Sequence, residues 1–460
     1  MKMLGKLLIA CAVLFALLQA VRPGIPAGPA TAELQAPAAV KQVFEKNCYS
    51  CHSNERRLAW FDEVVPAYWL VRRDILTARR HLNFSTLDSK PSTAQRATLY
   101  EAVNMIQLGA MPFPDFVKLH PEARVTPEEL ATLKNYLAPW SSTPTPVSES
   151  APTGAAARDH ADKAAAPVSL AMVWPEFNGL AFDPTFESWK PIGSTDRGDN
   201  NTFRFILGND IAVKAAQSGN ISPWPDGARF AKIAWQQQAG ADGLVHPGKF
   251  VQVELMVKDA QRYKDTEGWS WGRWRGMDLK PYGSGAGFVS ECTGCHQPLR
   301  GNDYVYTLPI TPATITRLEV VNNLAAALPA AMPYQPLGWN VITMFVDQRN
   351  RTIAILYGNE TAMQSVRVRG DAPTGKSPAP VYPEGAVLAL VSWSERDDPH
   401  WFGARIPGAP QSVEFVKVSA VSRNQYQRFA GSGLAEQHLA ASTETQRTSF
   451  VLGLAPVRLP

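Results

Sequence analysis

The sequence predicts a multidomain α + β chain, an all-α N-terminal domain followed by two tandem β-rich domains. Three observations carry that prediction. Up to about residue 140 apolar residues recur at helical spacing. Beyond a Pro/Ala/Ser-rich stretch the period becomes extended, and the extended part then repeats itself. The boundaries that follow are 1–22 for an apolar leader, 32–140 for the helical domain, 141–167 for a linker, 168–309 for the first β domain and 310–460 for its repeat. The length of 460 residues accommodates this organisation, and 45% hydrophobic with 19% charged residues is ordinary for packed globular domains. A net charge of +4, thinly spread, leaves no nucleic-acid footprint.

The leader begins with Lys2 and Lys6, followed by "LLIACAVLFALLQA" from Leu7 to Ala20. That apolar run suits a secretory signal better than a full membrane span. "LIAC", ending at Cys11, resembles a lipoprotein cleavage box but falls inside the run instead of closing it. Export to the periplasm is expected, with cleavage after the run and, as the alternative, an uncleaved N-terminal membrane anchor.

In the helical domain "AAVKQVFEKNCYSCH" sets Val40, Val43 and Phe44 at helical spacing. "TPEELATLKNYL" opens with Thr126 and has Glu129 three residues on, a capping box before an apolar stripe. Apart from Cys11, the cysteines form two pairs, Cys48 with Cys51 and Cys292 with Cys295. In an exported chain such pairs first suggest disulfides. Each pair, however, is Cys-x-x-Cys followed at once by a histidine, His52 and His296, which is the c-type haem attachment pattern. Cysteines three apart on one turn reach both haem vinyl groups, and the next histidine ligates the iron. Two covalently bound c-type haems are expected, ahead of a redox dithiol or a zinc site.

Met111 in "GAMPFP", with Pro112 stiffening its loop, is the candidate for the other axial position on the first haem; His81 and His120 are its rivals. A Met/His pair raises the potential and suits electron transfer. The second motif is followed by "QPLRGNDYVYTLP", which offers no strong sixth ligand, and His246 is the remaining candidate. An open iron is therefore expected there.

The β region is a duplication. "WKPIGSTDRGDNNTFRFILGND" aligns without a gap on "WNVITMFVDQRNRTIAILYGNE", matching Trp189 to Trp339, Gly208 to Gly358 and Asn209 to Asn359. "WPDGARFAKIAW" aligns on "YPEGAVLALVSW", and "PGKFVQVELMVK" on "PGAPQSVEFVKV". Lys232 then matches Leu390, inside an all-apolar run. That position is expected to point inward, leaving Lys232 buried or lining a cavity, where a lysine is retained when it reacts or pairs.

Two resemblances add to this reading. "NCYSCHSNE", "RRHLNFS", "GAMPFPDFVKLHPEA" and the capping-box helix, over about 38–140, resemble the small haem-binding domain of exported bacterial c-type cytochromes; "RRLAWF" and Ala78 depart from its usual pattern. "FRFILGNDIAVKAA", "WPDG", "VELMVKD", "ECTGCH" and "NDYVYT" are similar to the cytochrome P-460 family, in that order. The family is a β-rich monohaem cytochrome with a lysine bonded to the porphyrin edge. The resemblance implies that Lys232 is that lysine, Glu254 the distal carboxylate, Arg204 a distal-side arginine and His296 the proximal iron ligand.

An open iron beside Glu254 would bind a small nitrogenous ligand and pass its protons to the carboxylate as general base, with Arg204 orienting the ligand or the carboxylate. The bland alternative is an outward strand face, since the polar Gln252 and Lys258 share Glu254's side. The expected function is oxidation of hydroxylamine at the second haem, the first relaying electrons to a soluble partner such as a small cytochrome. One rival is a cytochrome that binds nitric oxide or carbon monoxide without turnover, and another is a plain dihaem electron carrier.

The final repeat is expected to hold no haem. Arg204 is matched by Ala354, Lys232 by Leu390, no cysteine follows Cys295, and Glu414 alone answers to Glu254. Because the P-460 family resembles homodimers, the two β domains are expected to pack face to face about a pseudo-twofold axis.

Overall fold

Helical spacing and end signals produce seven N-terminal helices: α1 (Lys2–Leu18), α2 (Ala38–Asn47), α3 (Tyr49–His52), α4 (Ala67–His81), α5 (Ser92–Gln107), α6 (Pro114–Leu119) and α7 (Pro127–Ser141). The computed structural model describes residues 2–141, 170–285, 287–310, 322–366, 380–421 and 423–460, so the linker expected at 141–167 lies outside the described residues from 142 onward. The chain divides into a helical unit and a β unit. The capping box of α7 forms as expected: Glu129 N–H donates to Thr126 Oγ1 at 3.2 Å, and Thr126 N–H donates to Glu129 Oε2 at 2.9 Å. Val40, Phe44, Tyr49, Phe84, Leu99, Tyr100, Leu133 and Leu137 are buried in the helical core, and Tyr100 Oη donates to the Leu137 carbonyl at 2.6 Å. The stretch after the leader packs onto this unit. Gln19 and Val65 exchange two hydrogen bonds, at 3.1 and 2.9 Å, and Tyr68 Oη donates to the Pro23 carbonyl at 2.6 Å. Among the described residues no helix is long and apolar enough to cross a membrane.

The β unit contains two copies of one supersecondary arrangement. The first comprises β1 (Lys190–Arg197), β2 (Thr202–Gly208), α8 (Asp210–Ser218), β3 (Arg229–Ala239), β4 (Val245–Lys258), β5 (Trp269–Arg275), β6 (Lys280–Pro281) and α9 (Gly287–His296). The second comprises β7 (Asn340–Asp347), β8 (Thr352–Gly358), α10 (Glu360–Val366), β9 (Val387–Asp397), β10 (Ala404–Lys417), β11 (Gln425–Ala430), β12 (Ala435–Gln437) and α11 (Ala441–Gly453).

The matched residues have matched physical roles. Asn209 Oδ1 accepts from Ala212 N–H and Arg229 N–H, capping α8 and tying it to β3; Asn359 does the same for Ala362 and Val387. The glycine of "WPDG" and of "YPEG" has φ of 85° and 82°, a left-handed conformation that glycine adopts without steric cost.

Each copy supplies a four-stranded antiparallel wall, free along β1 or β7 and, on β4 or β10, free only where β5 or β11 does not pair it. The walls meet edge to edge, not face to face as expected: β4 pairs β7 at Val245 and Val346, and β1 pairs β10 at Asp196 and Arg405. The result is one closed eight-stranded barrel, β1-β2-β3-β4-β7-β8-β9-β10, the remaining strands flanking it. Asp196 is the repeat counterpart of Val346, and Arg405 of Val245, so the two seams are related by the pseudo-twofold. Closure satisfies the backbone groups that either wall would leave unpaired. A single core fills the barrel, with Phe203, Phe205, Ile233, Trp235, Val253 and Leu255 from one copy against Ile353, Ile355, Val391, Trp393, Val413 and Phe415 from the other.

Candidate functional site

In the helical unit the attachment motif lies where α2 gives way to α3. The amides of Cys51 and His52 both donate to the Cys48 carbonyl, at 3.2 and 2.9 Å, so the three residues share one turn. Cys48 and Cys51 are free thiols. Burial pushes the Cys48 thiol up to about 12 and raises Cys51 as well, which keeps both protonated. His52 Nδ1 lies 2.9 Å from the Leu82 carbonyl, which can only accept. Nδ1 therefore carries the proton and Nε2 keeps its lone pair. Burial lowers the His52 pKa, favouring the neutral ring that metal ligation requires. Phe84 stacks on Tyr49 at 5.2 Å and donates its amide to the His52 carbonyl at 2.8 Å, holding the loop that carries Leu82.

Met111 is half-buried between α5 and α6. His81 is exposed at the end of α4. His120 is buried between the rings of Phe61 and Phe116, with Nε2 3.1 Å from Asp62 and Nδ1 3.4 Å from Glu122. These carboxylates engage both His120 nitrogens within the fold.

In the β unit the site lies on the outer wall of the first copy. Register sets three rows across β2, β3, β4 and β5. Gly208, Phe230, Met256 and Trp271 form an apolar row. Ile206, Lys232, Glu254 and Arg273 form the next, followed by Arg204, Ala234, Gln252 and Arg275. Cys292 of α9 packs against the apolar cluster to which Ile206, Phe230, Met256 and Trp271 of this wall belong. Lys232 thus faces away from the barrel core. Its counterpart run is apolar throughout because β9 is buried on both sides, by the core at Ala389 and Val391 and by the outer cover at Leu388 and Leu390.

Lys232 Nζ lies 2.6 Å from Glu254 Oε2, and Arg273 Nε lies 3.4 Å from Glu254 Oε1. The Lys232 side chain retains 31% exposure. Burial brings its pKa down to about 8 despite the neighbouring Glu254. For Glu254, burial alone would raise the pKa, but Lys232, Arg273 and Arg204 outweigh it and hold the carboxyl at about 2. Arg204 falls to about 9 through burial and the repulsion of Arg197. Arg273, stacked over the Tyr282 ring at 4.6 Å, is the member of the site that sequence reasoning missed. No local sequence signal marks it; strand register alone pairs Glu254 with Arg273, as it pairs Glu414 with Arg428.

Lys258 also departs from expectation. It is buried, not solvated, with Nζ 2.8 Å from Asp303 Oδ1 and 4.8 Å above the Trp269 ring. Asp303 also accepts from Trp224 N–H at 2.8 Å, anchoring the turn that presents the Tyr304 carbonyl. That carbonyl lies 2.6 Å from His296 Nδ1, so His296, like His52, has its Nε2 lone pair free. Burial lowers the His296 pKa to about 4. His246 lies 2.8 Å from Asp242 and is engaged there.

The residues fit a haem. They supply a neutral imidazole nitrogen, two reduced cysteines a turn apart and an apolar wall. They also supply buried donors, Arg204 Nε and Trp271 Nε1, that have no acceptor among the described residues and that haem carboxylates or a ligand would satisfy. No group of three His, Cys, Asp or Glu among the described residues could hold a bare metal ion.

In the second copy the corresponding row is Leu356, Leu390, Glu414 and Arg428, and α11 takes the place of α9 after the flanking strands. Glu414 is 1% exposed; Arg447 of α11 donates to it at 2.7 and 2.9 Å, and Tyr426 Oη at 2.6 Å.

Comparison with known families accords with both sites. Residues 10–139 match the family model for a haem-binding domain, and residues 184–307 match that for cytochrome P460. No curated protein matches the chain.

Proposed function

We propose that this haem-binding cytochrome, with its haem-binding domain at 10–139 and its cytochrome P460 domain at 184–307, carries two covalently attached haems and oxidises hydroxylamine at the second. The observation that carries the reading is the row Lys232–Glu254–Arg273 lying on the wall against which Cys292 packs. Cys292 and Cys295 would form the thioethers and His296 would ligate the iron, as Cys48, Cys51 and His52 would in the helical unit. The haem, when bound, supplies an open iron site and an electron sink.

The protein's own residues supply the proton chemistry. Lys232, with its pKa brought down by burial, has part of its population as free amine near neutral pH, the form that bonds to a porphyrin edge. While Lys232 remains an ammonium, Glu254 is saturated by charge and is a poor base. With Lys232 held on the ring as a neutral amine, Glu254 would lose its strongest attraction and its carboxylate would be able to take protons from a nitrogenous ligand. Arg273 holds that carboxylate in place, and Arg204 adds its charge from the next row. Met111 is the candidate second ligand for the first haem, His120 being engaged elsewhere, and that haem would pass electrons to a soluble acceptor such as a small cytochrome.

The ion pair at 2.6 Å between Lys232 and Glu254 also supports a second reading. If the pair persists with haem present, the site is a nitric oxide or carbon monoxide binder without turnover. The ferrous spectrum of the purified chain separates them. A red-shifted Soret component together with hydroxylamine-dependent reduction of an added cytochrome supports the oxidase. An ordinary five-coordinate spectrum without turnover replaces it with the gas binder, and two low-spin haems leave a plain electron carrier.

We propose export to the periplasm, with the leader retained as an anchor. The bonds between Gln19 and buried Val65 support retention, because cleavage beyond residue 20 would remove Gln19 and leave both Val65 backbone groups without these partners.

A further inference from the structure

The loop between β9 and β10 belongs to the copy without cysteines, yet it reaches the attachment helix of the other copy. His400 Nδ1 lies 2.6 Å from the Tyr306 carbonyl. The Tyr306 ring stands edge-on to His296, with centroids 5.2 Å apart, and its hydroxyl donates to the Cys295 carbonyl at 2.6 Å. On its other side Tyr306 meets the partly exposed Trp401, with centroids 5.5 Å apart. Arg197 stacks on Trp401 with its guanidinium carbon 4.0 Å from the ring centroid, and Arg197 itself is buried and paired with Asp199 at 2.5 Å. Trp401 Nε1 also reaches Asp199 Oδ2 at 3.4 Å. The result is an uninterrupted run of aromatic rings from His296 to the protein surface, clamped at each ring by a hydrogen bond or a stacked ion pair.

We propose that Tyr306 and Trp401 form the electron exit from the His296 site, so that the second copy, without a haem of its own, completes the redox path of the first. The inference rests on the assignment of a haem to His296. Three features support conduction over mere packing. The run starts at the iron ligand's own ring, so coupling enters without a gap. It ends on an indole with a partly solvent-facing edge, where an acceptor can approach. Each ring is also held at several points, and fixed geometry is what electronic coupling between rings requires. In the step itself one electron leaves the reduced site and reduces an outer-sphere one-electron acceptor, such as an oxidised cytochrome or hexaammineruthenium(III). No bond forms or breaks, and no proton moves. Tyr306 and Trp401 touch no substrate and are positioned only to carry charge.

The test uses the full chain, reduced and then mixed rapidly with hexaammineruthenium(III), following the oxidation of each haem by its own absorbance. Trp401→Leu should slow oxidation of the second haem severalfold while leaving the first haem's phase, the second haem's spectrum and its reduction potential unchanged. Trp401→Phe, which keeps a ring, should restore most of the rate. Wild-type kinetics in Trp401→Leu with an intact spectrum would overturn the route but leave the haem assignment standing. Slowing by Leu and Phe alike, with a shifted potential, would overturn it in favour of a structural role for Trp401. Absence of a second haem by pyridine haemochrome would overturn both the route and the functional reading beneath it.

Discussion

Lys232 and Leu390 occupy equivalent positions on two equivalent walls, and the chemistry of the two copies diverges there. The neighbouring carboxylate and arginine do not diverge: Glu254 faces Arg273 as Glu414 faces Arg428. That retained pair belongs to the wall's architecture, so its presence alone does not distinguish a reactive wall from an inert one. Lys232→Leu is therefore expected to leave haem attached through Cys292 and Cys295 while abolishing the shifted Soret band and hydroxylamine oxidation. Retention of both in the ferrous spectrum and the turnover assay would return Lys232 to an ordinary ion pair. In the helical unit, Met111→Ala should leave two haems per chain and turn the first one high-spin or lower its potential. An unchanged low-spin signal in electron paramagnetic resonance would point to exposed His81, since His120 is already engaged by Asp62 and Glu122. Residues with a local signature were legible in the sequence: the Cys-x-x-Cys-His pairs, the Thr126–Glu129 cap and the matched positions of the repeat. Arg273 and Lys258 were not, because their roles depend on cross-strand neighbours that only register supplies. A lysine two strands from its aspartate, as Lys258 is from Asp303, reads locally as a solvated residue.

At the scale of elements, the copies differ in what covers the outer wall. In the first, α9 brings thiols and an imidazole; in the second, α11 brings Val451 and Arg447. Arg447 supplies Glu414 with the close cation that Lys232 supplies to Glu254, so the carboxylate is charge-compensated in both copies by different elements. This explains how leucine can stand at position 390 without stranding a buried carboxylate. Arg447→Met should accordingly destabilise the β unit by about 2–3 kcal/mol, since Glu414 keeps Arg428 and Tyr426 but loses its bidentate partner. A lowered urea midpoint with unchanged haem content would bear this out, and an unchanged midpoint would count against it. The correspondence of α11 with α9 was not legible in the sequence, because helices doing such different work share no residues that align.

At the scale of the whole molecule, barrel closure was the feature least legible in the sequence. The duplication was plain, but the pairing of β1 with β10 joins residues some two hundred positions apart and has no local signal beyond Asp196 and Arg405 standing opposite each other. The two seams are chemically unlike: Val245 against Val346 is apolar, whereas Asp196 lies among Glu395, Arg405 and Gln237. Burial, reinforced by Glu395, pushes Asp196 up to about 7 from the ordinary 3.8. An acid with a raised folded-state pKa binds its proton more tightly folded than unfolded. Its contribution to stability is complete below about pH 4 and is lost as pH rises through about 7. Asp196→Asn removes that titration while leaving an oxygen to accept from Gln237. The variant and its parent should unfold nearly alike near pH 4, and near pH 8 the variant should be more stable by about 4 kcal/mol. Thermal melts at the two pH values check the sign, and a variant weaker at the higher pH would contradict it.

The closed barrel also imposes an order of events in time. A chain is made from its N-terminus, and the helical unit with its own attachment motif can be complete long before the rest has appeared. The second attachment motif emerges at residues 292–296, when only one wall of the barrel exists, its β1 edge bare and its β4 edge covered only by β5. The strand that closes the ring, Ala404–Lys417, arrives more than a hundred residues later, just after the loop bearing His400 and Trp401. Haem delivered before then would meet thiols on an unfinished scaffold. Two haems attached as proposed would thus be matured on different clocks, the first as soon as its unit is made and the second only when synthesis is nearly done.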